Sequence, residues 1–241
     1  MFSSRFSRLE LLSNGQVTSS LAQEIEKRAF LNEPAETAGG LGILANHGKL
    51  FLVEDIGGIA ESIELDVLLK LNIDALPPES PLRMIVENNR RNGVLDSIKE
   101  NYPDRKKYHY LHGIAVDVKG QGYGSWLFRE RAKIILGKDD IGFGFVMPAH
   151  IPSIRMYLRH GALLDKVEND VYVAGKPYFR MVHDESLSVP YIRSAALSKR
   201  DKLLIKIGGY NYLGEIRSYI NAGYVGTRFE QPNKLVFQRR L

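Results

Sequence analysis

The chain has no cysteine among its 241 residues, only one tryptophan, and no run of 18 apolar residues. Without cysteine there is no disulfide framework, no thiolate metal site and no cysteine nucleophile. Without a long apolar run there is no candidate membrane span. The opening Met1-Phe-Ser-Ser-Arg-Phe-Ser-Arg-Leu has no continuous apolar stretch of the kind a secretory signal needs. A cytoplasmic protein with no membrane contact and no metal is therefore expected. Two phosphate motifs are missing as well. A P-loop needs Gly-Lys-Ser/Thr at its end, and Gly124-Ser125-Trp126 does not supply it. A dinucleotide turn reads G-x-G-x-x-G with an acidic residue about 20 positions on, and this chain has G-x-G-x-G with only Asp139 and Asp140 in a turn.

What is present is the stretch Ile114-Ala-Val-Asp-Val-Lys-Gly-Gln-Gly-Tyr-Gly-Ser-Trp-Leu-Phe128. A β-branched run ends in glycines at alternate positions, Gly120, Gly122 and Gly124, and an amphipathic pattern follows at once. Glycine lets the backbone turn with φ > 0 and lets a ligand come close to the main chain. The first amides of a helix have no partner inside it, and the helix dipole adds partial positive charge there. Strand, glycine loop and helix start together make a pocket for a phosphate or diphosphate, with Lys119 at its lip. A glycine-rich turn with no ligand is the plainer alternative.

After the loop, residues 125–136 place Trp126, Leu127, Ala132, Ile134, Ile135 and Leu136 on an apolar stripe, with Arg129, Glu130, Arg131 and Lys133 between them. Residues 141–147 read as a buried strand. Pro148 and Pro152 bracket a break, and 153–161 read as a short helix closed by Gly161. Upstream, Ser20-Leu-Ala-Gln23 opens a helix over 20–30. Strands at 50–54 and 59–65 form a hairpin through Asp55-Ile-Gly-Gly58. Residues 66–107 hold Pro77-Pro78, Pro81, a polar run at 87–93 and a short helix at 94–100.

The segment 108–162 resembles the GCN5-related N-acetyltransferases. Lys119, Gly122 and Gly124 fill the family's Arg/Gln-x-x-Gly-x-Gly/Ala loop pattern, with Lys for the usual Arg or Gln. His150, Ser153, Tyr157, Gly161 and Ala162 occupy the positions of its Asn-x-x-Ala-x-x-x-Tyr-x-x-x-Gly-Phe helix, where only Tyr and Gly match strictly. The resemblance implies an α/β (α+β) fold with a mixed, mostly antiparallel central sheet and helices on both faces. It makes 1–180 the acyltransferase domain, 66–107 an insertion, and 181–241 a basic extension.

The activity it implies is transfer of an acetyl or similar acyl group from acetyl-CoA, or another acyl-CoA, to an amine on a small molecule or protein. A neutral amine attacks the thioester directly, so a base must take its proton and the departing thiolate must gain one. Tyr157 is the expected general acid. For the base, residues 108–118 read as one strand with Tyr110, His112, Ile114 and Val116 on one face. The family often carries a glutamate near Tyr110, and this chain has none there. His112 is the candidate, with Glu61 and Glu64 as rivals. Cofactor contacts are expected from Ala115, Val116, Asp117, Val118, Lys119, Gly120, Gln121, Gly122, Tyr123, Gly124 and Ser125, and from His150 and Ser153.

Two features remain. Ile154-Arg-Met-Tyr-Leu-Arg-His-Gly161 and Ile216-Arg-Ser-Tyr-Ile-Asn-Ala-Gly223 share Ile-Arg-x-Tyr-x-x-x-Gly. Residues 201–241 thus read as a degenerate strand–helix–strand repeat, or else Tyr219 is the functional tyrosine and 150–180 an insertion; chance is the dull alternative. The net charge of +5 is also uneven. Residues 176–241 hold 12 Lys/Arg against five Asp/Glu, a net +7, leaving −2 for the rest. A basic C-terminal third admits a nucleic-acid partner, although no nucleic-acid motif accompanies it. A non-catalytic coenzyme A-binding module is the other alternative.

Overall fold

The computed structural model describes residues 10–12, 19–29, 35–53, 56–118, 120–184, 197–209, 211–231 and 233–240. The chain divides into two compact units, Met1–Ile135 and Leu136–Leu241. Both mix helices with strands that pair antiparallel inside the unit. Among the described residues no helix is long and apolar enough to cross a membrane.

In the first unit, β1 (Glu10–Leu12), β2 (Lys49–Val53) and β3 (Gly58–Glu64) form a ladder in chain order. Asp55 of the expected hairpin turn lies outside the described residues. The other edge of β3 takes two short strands, β4 (Tyr108–Tyr110) and β5 (Ile114–Val116), where the sequence suggested one over 108–118. Their registers explain the break. Ile63 faces Tyr110 and Ala60 faces Ile114, so three residues on one strand span two on the other. The extra residue is a β-bulge over Leu111–Gly113, and it re-aims the side chains on either side of it.

Helices α1 (Ser19–Ala29) and α2 (Ala38–His47) lie between β1 and β2 in the chain. The 66–107 segment is more helical than its polarity suggests. It holds α3 (Leu65–Leu68), a 3-10 turn at Ile73–Ala75, α4 (Pro81–Asn92) and α5 (Asp96–Asn101). Ser80 caps the start of α4, Pro81 stands in its first turn, and Gly93 ends it at φ 62°. Helix α6 (Tyr123–Ile135) follows the glycine loop, and Leu127 packs with Phe51, Val53, Ile56 and Ala60. Its inward face is corrected in one respect: Ile134 is 54% exposed, whereas Arg131 is fully buried. Leu127, Arg131 and Ile135 recur at spacing four, which fixes the inward face regardless of polarity.

The second unit repeats one order of elements. Strand β6 (Ile141–Val146), α7 (Ile151–Arg159), β7 (Leu163–Asn169) and β8 (Pro177–Asp184) are followed by β9 (Leu197–Lys206), α8 (Tyr212–Asn221), β10 (Tyr224–Gln231) and β11 (Lys234–Arg240). Strand order is β6-β8-β7-β10-β11-β9, a palindrome of the two sets about the β7–β10 pair. The pair in register there is Leu164 with Gly226, each three residues past the glycine that ends the shared motif. Those glycines, Gly161 and Gly223, adopt φ 96° and 85°, the left-handed conformation that stops a helix. Each motif arginine reaches across to the other half. Arg155 stacks over Phe229 at 5.2 Å, and Arg217 donates to Asn169 at 2.5 Å.

Candidate functional site

The glycine loop meets the geometric demands of anion binding. Gly120 and Gly122 have φ 80° and 81°, and nothing stands within 4 Å of where a Cβ on either would point. Gly120, Gln121 and Gly122 are exposed, while Tyr123, Gly124 and Ser125 are half-buried. The first backbone bond of α6 runs from the Trp126 amide to the Gly122 carbonyl at 3.0 Å. The amides of Tyr123, Gly124 and Ser125 precede it and have no carbonyl within the helix to bond. Lys119 lies outside the described residues.

The residues leading into the loop are tied to the ladder. Ala115 and Val116 pair with Ile59 and Gly58 on β3. The Asp117 amide donates to the Gly57 carbonyl at 3.0 Å, and Arg28 of α1 grips its carboxylate at 3.0 and 2.7 Å. Val118 is 45% exposed, a large apolar side chain facing solvent beside the glycines.

His112 sits in the bulge, and the bulge delivers it into a buried acidic cluster. Its Nε2 lies 3.0 Å from Glu36 Oε2 and 3.7 Å from Glu61 Oε2, and its Nδ1 lies 3.2 Å from the Tyr110 hydroxyl. Glu26, Glu36 and Glu61 are all buried. Glu36 is the best satisfied. One oxygen accepts from the Thr37 amide at 2.8 Å and the Ser80 hydroxyl at 2.6 Å, and the other from the Leu82 amide at 3.1 Å. The starts of α2 and α4 therefore converge on one carboxylate, as helix dipoles favour. Gly40 permits the approach, because a Cβ there would stand 1.9 Å from Glu36 Oε1.

Glu61 is the opposite case. Neither of its carboxyl oxygens accepts from an N–H among the described residues, and its side chain meets that of Glu26 carboxyl to carboxyl. Gly113 lies against both, since a Cβ there would be 3.0 Å from Glu61 Oε2 and 3.3 Å from Glu26 Oε1. Arg131 brings a buried positive charge, yet spends it on the bulge. One guanidinium nitrogen donates to the Glu61 and Gly113 carbonyls, each at 2.8 Å.

These surroundings set the charges. Burial, reinforced by Glu26 and Glu36 nearby, holds the Glu61 carboxyl well above the usual carboxylate range. Burial likewise raises Glu26, against the Glu36 amide that donates to it at 2.6 Å. Burial would raise Glu36 too, but the His112 ring, Ser80 and the Thr37 amide outweigh it and hold Glu36 low. Two facing carboxyls in a dry interior share a proton rather than ionise together. The cluster is one anchored anion and one proton-holding pair, both facing the Nε2 edge of an imidazole.

Of the rivals to His112, Glu61 is in this cluster, whereas Glu64 is at the surface with Lys107 at 3.0 Å. Among the described residues no group of acidic and histidine side chains is arranged to hold a metal. In the second unit, Tyr157 is buried on α7. His150 precedes that helix and Ser153 is in its first turn, with Ser153 Oγ and His150 Nδ1 at 3.0 Å. Tyr219 packs edge-on to Phe237 at 6.0 Å and tilts against Tyr224 at 6.2 Å. Glu26, Glu36 and Arg131 escaped sequence reasoning. Arg131 alone left a trace there, since it stands at helical spacing between Leu127 and Ile135.

No family model and no curated protein matches the chain. Solved structures give likenesses at low identity. Arabidopsis thaliana NAA60 in complex with acetyl-CoA is 14% identical over 73% of this chain and 97% of its own, with a TM-score of 0.46. A mosquito arylalkylamine N-acetyltransferase like 5b is 12% identical over 73% and 99%, with a TM-score of 0.49. NAA60 with a bisubstrate analogue gives 12%, 73%, 97% and 0.44.

Proposed function

We propose that the chain is an acyl-CoA-dependent N-acyltransferase acting on an amine acceptor. The observation that carries this reading is the open loop from Gly120 to Ser125. Two glycines in the left-handed region leave room for a ligand to approach the backbone, and the loop runs into the start of a helix, where the dipole favours an anion. A diphosphate fits that demand, and the neighbouring exposed Val118 suits the apolar stretch of a pantetheine arm. Residues 115–125 would hold the cofactor, Lys119 adding charge, with His150 and Ser153 as further contacts. Acyl-CoA, when bound, supplies the thioester that the amine attacks and the thiol that departs.

The chain's own work is proton handling. The acceptor must lose a proton to be nucleophilic, and His112 is the base. Tyr157 gives a proton to the departing sulfur. The NAA60 and arylalkylamine N-acetyltransferase likenesses accord with an amine acceptor. The test has two stages. Acetyl-CoA should raise the melting temperature in proportion to its concentration, as any ligand selective for the folded state does. Free thiol should then appear on mixing with an amine panel, and fall about 10²-fold in His112→Gln. No thermal shift with any acyl-CoA would end the proposal. A shift without turnover on any amine would leave a coenzyme A-binding module instead.

A further inference from the structure

The acidic cluster around His112 contains more than a base requires, and its asymmetry carries information. Five side chains face the ring or its neighbours: Glu26 from α1, Glu36 from the start of α2, Glu61 from β3, Tyr110 from β4 and Arg131 from α6. Only one of them makes a full-strength contact with Nε2. Glu36 Oε2 lies 3.0 Å from it, against 3.7 Å for Glu61. Glu36 has no freedom to turn away, because Thr37, Ser80 and Leu82 fix both of its oxygens. A carboxylate accepts and never donates, so the hydrogen in that contact belongs to Nε2.

We infer that Glu36 is the positioning residue of the site: it holds His112 with the hydrogen on Nε2, so that Nδ1, facing the Tyr110 hydroxyl, is the ring's basic atom. This rests on the reading of His112 as the base. When Nδ1 takes a proton, the ring becomes an imidazolium with Nε2–H still on Glu36, and the positive charge forms beside an anchored anion. Tyr110 donates its hydroxyl hydrogen to Nδ1 at rest, so a proton bound for the ring arrives through the Tyr110 oxygen: one O–H is made as another is given to nitrogen, and the phenol is unchanged. Because Glu61 and Glu26 keep a proton between them, two negative charges and not three confront the ring. Glu36 also caps α4, so this tautomer is wired to the 66–107 segment through a single side chain.

The experiment is nitrogen-15 NMR of the histidine rings in the full chain near neutral pH, His112 being assigned by its loss in His112→Gln. The expected result is a protonated Nε2 and an unprotonated Nδ1. In Glu36→Gln the amide oxygen should take over the three contacts from Thr37 and Ser80, leaving its NH2 to face His112. An NH2 donates, so the ring should invert to the Nδ1–H tautomer, and transfer should fall about 10²-fold in kcat with little change in KM for acetyl-CoA. Tyr110→Phe should leave the Nε2–H tautomer in place. This third measurement keeps the inference testable if Glu36→Gln does not fold. An Nδ1–H tautomer in the unaltered protein overturns the proposal. So does an unchanged tautomer in a folded Glu36→Gln, or inversion in Tyr110→Phe. The readout needs no acyl transfer. If the tautomers behave as expected and His112→Gln still turns over normally, the base assignment fails and the positioning does not.

Discussion

Each unit buries a charged network, and the two are built on different terms. In the second unit, Arg180 on β8 is fully buried, and Asp165 on β7 accepts from it twice at 2.9 Å, with Glu168 3.6 Å from a third nitrogen. That is a fork meeting a fork, with every charge answered. In the first unit three carboxyls share one buried arginine, and the arginine is committed to backbone carbonyls of the bulge. The surplus acid is handled by retaining protons on Glu61 and Glu26 and by crowding donors around Glu36. A balanced network fixes two strands together. An unbalanced one holds a mobile proton beside a histidine, which is a property of use to chemistry.

The largest effect should come from unbalancing the balanced network. Arg180→Ala removes the guanidinium that Asp165 bonds twice, and the second unit should lose about 3–5 kcal/mol in denaturant titration. Arg131→Met should cost less, about 1–3 kcal/mol, because the two carbonyls it serves keep their ladder partners. His112 donates to the Glu61 carbonyl and Glu61 donates to the Gly113 carbonyl. A loss in Arg131→Met as large as that in Arg180→Ala would break the contrast. Gly113→Ala presses a methyl between the Glu61 and Glu26 carboxyls and should cost about 1–2 kcal/mol by overpacking.

The smallest effect at low pH, and the sharpest with pH, should be that of Glu61→Gln. Glu61 and Glu26 titrate above their ordinary 4.5 in the folded chain. The folded state therefore keeps protons that the unfolded chain releases, and stability falls as pH rises from about that value through the folded one. Glu61→Gln has no such proton to lose, so it should match the unaltered protein within about 0.5 kcal/mol at pH 4 and overtake it as pH rises. Glu36 runs the other way. Held below 4.5, its contribution is present above that value and is lost as pH falls through the folded one. Glu61→Gln falling steadily behind with rising pH would mean that Glu61 is an ion.

Much of this was legible beforehand. The glycine loop, the helix after it, the β2–β3 hairpin strands and the helix ending at Gly161 follow from local pattern, because each is fixed by residues within a dozen positions. Ser80-Pro81 and Gly93 mark both ends of α4, although its polarity disguised it. The bulge was not legible, since it arises from a mismatch in count between β3 and its partner, and no single strand records that. The acidic cluster was hidden for the same reason. Glu26, Glu36 and Glu61 look like surface residues until α1, α2, α4 and the bulge close around them. Arg131 shows the cost of assigning faces by polarity when spacing says otherwise.

The most direct test is an acetyl-CoA titration followed through backbone amide signals. The amides of Gly120, Gln121, Gly122, Tyr123, Gly124 and Ser125 are expected to shift furthest and to saturate together, and Gly122→Val should abolish both the shifts and the binding. Saturable binding that leaves those six amides unmoved, or no binding at all, would contradict the account.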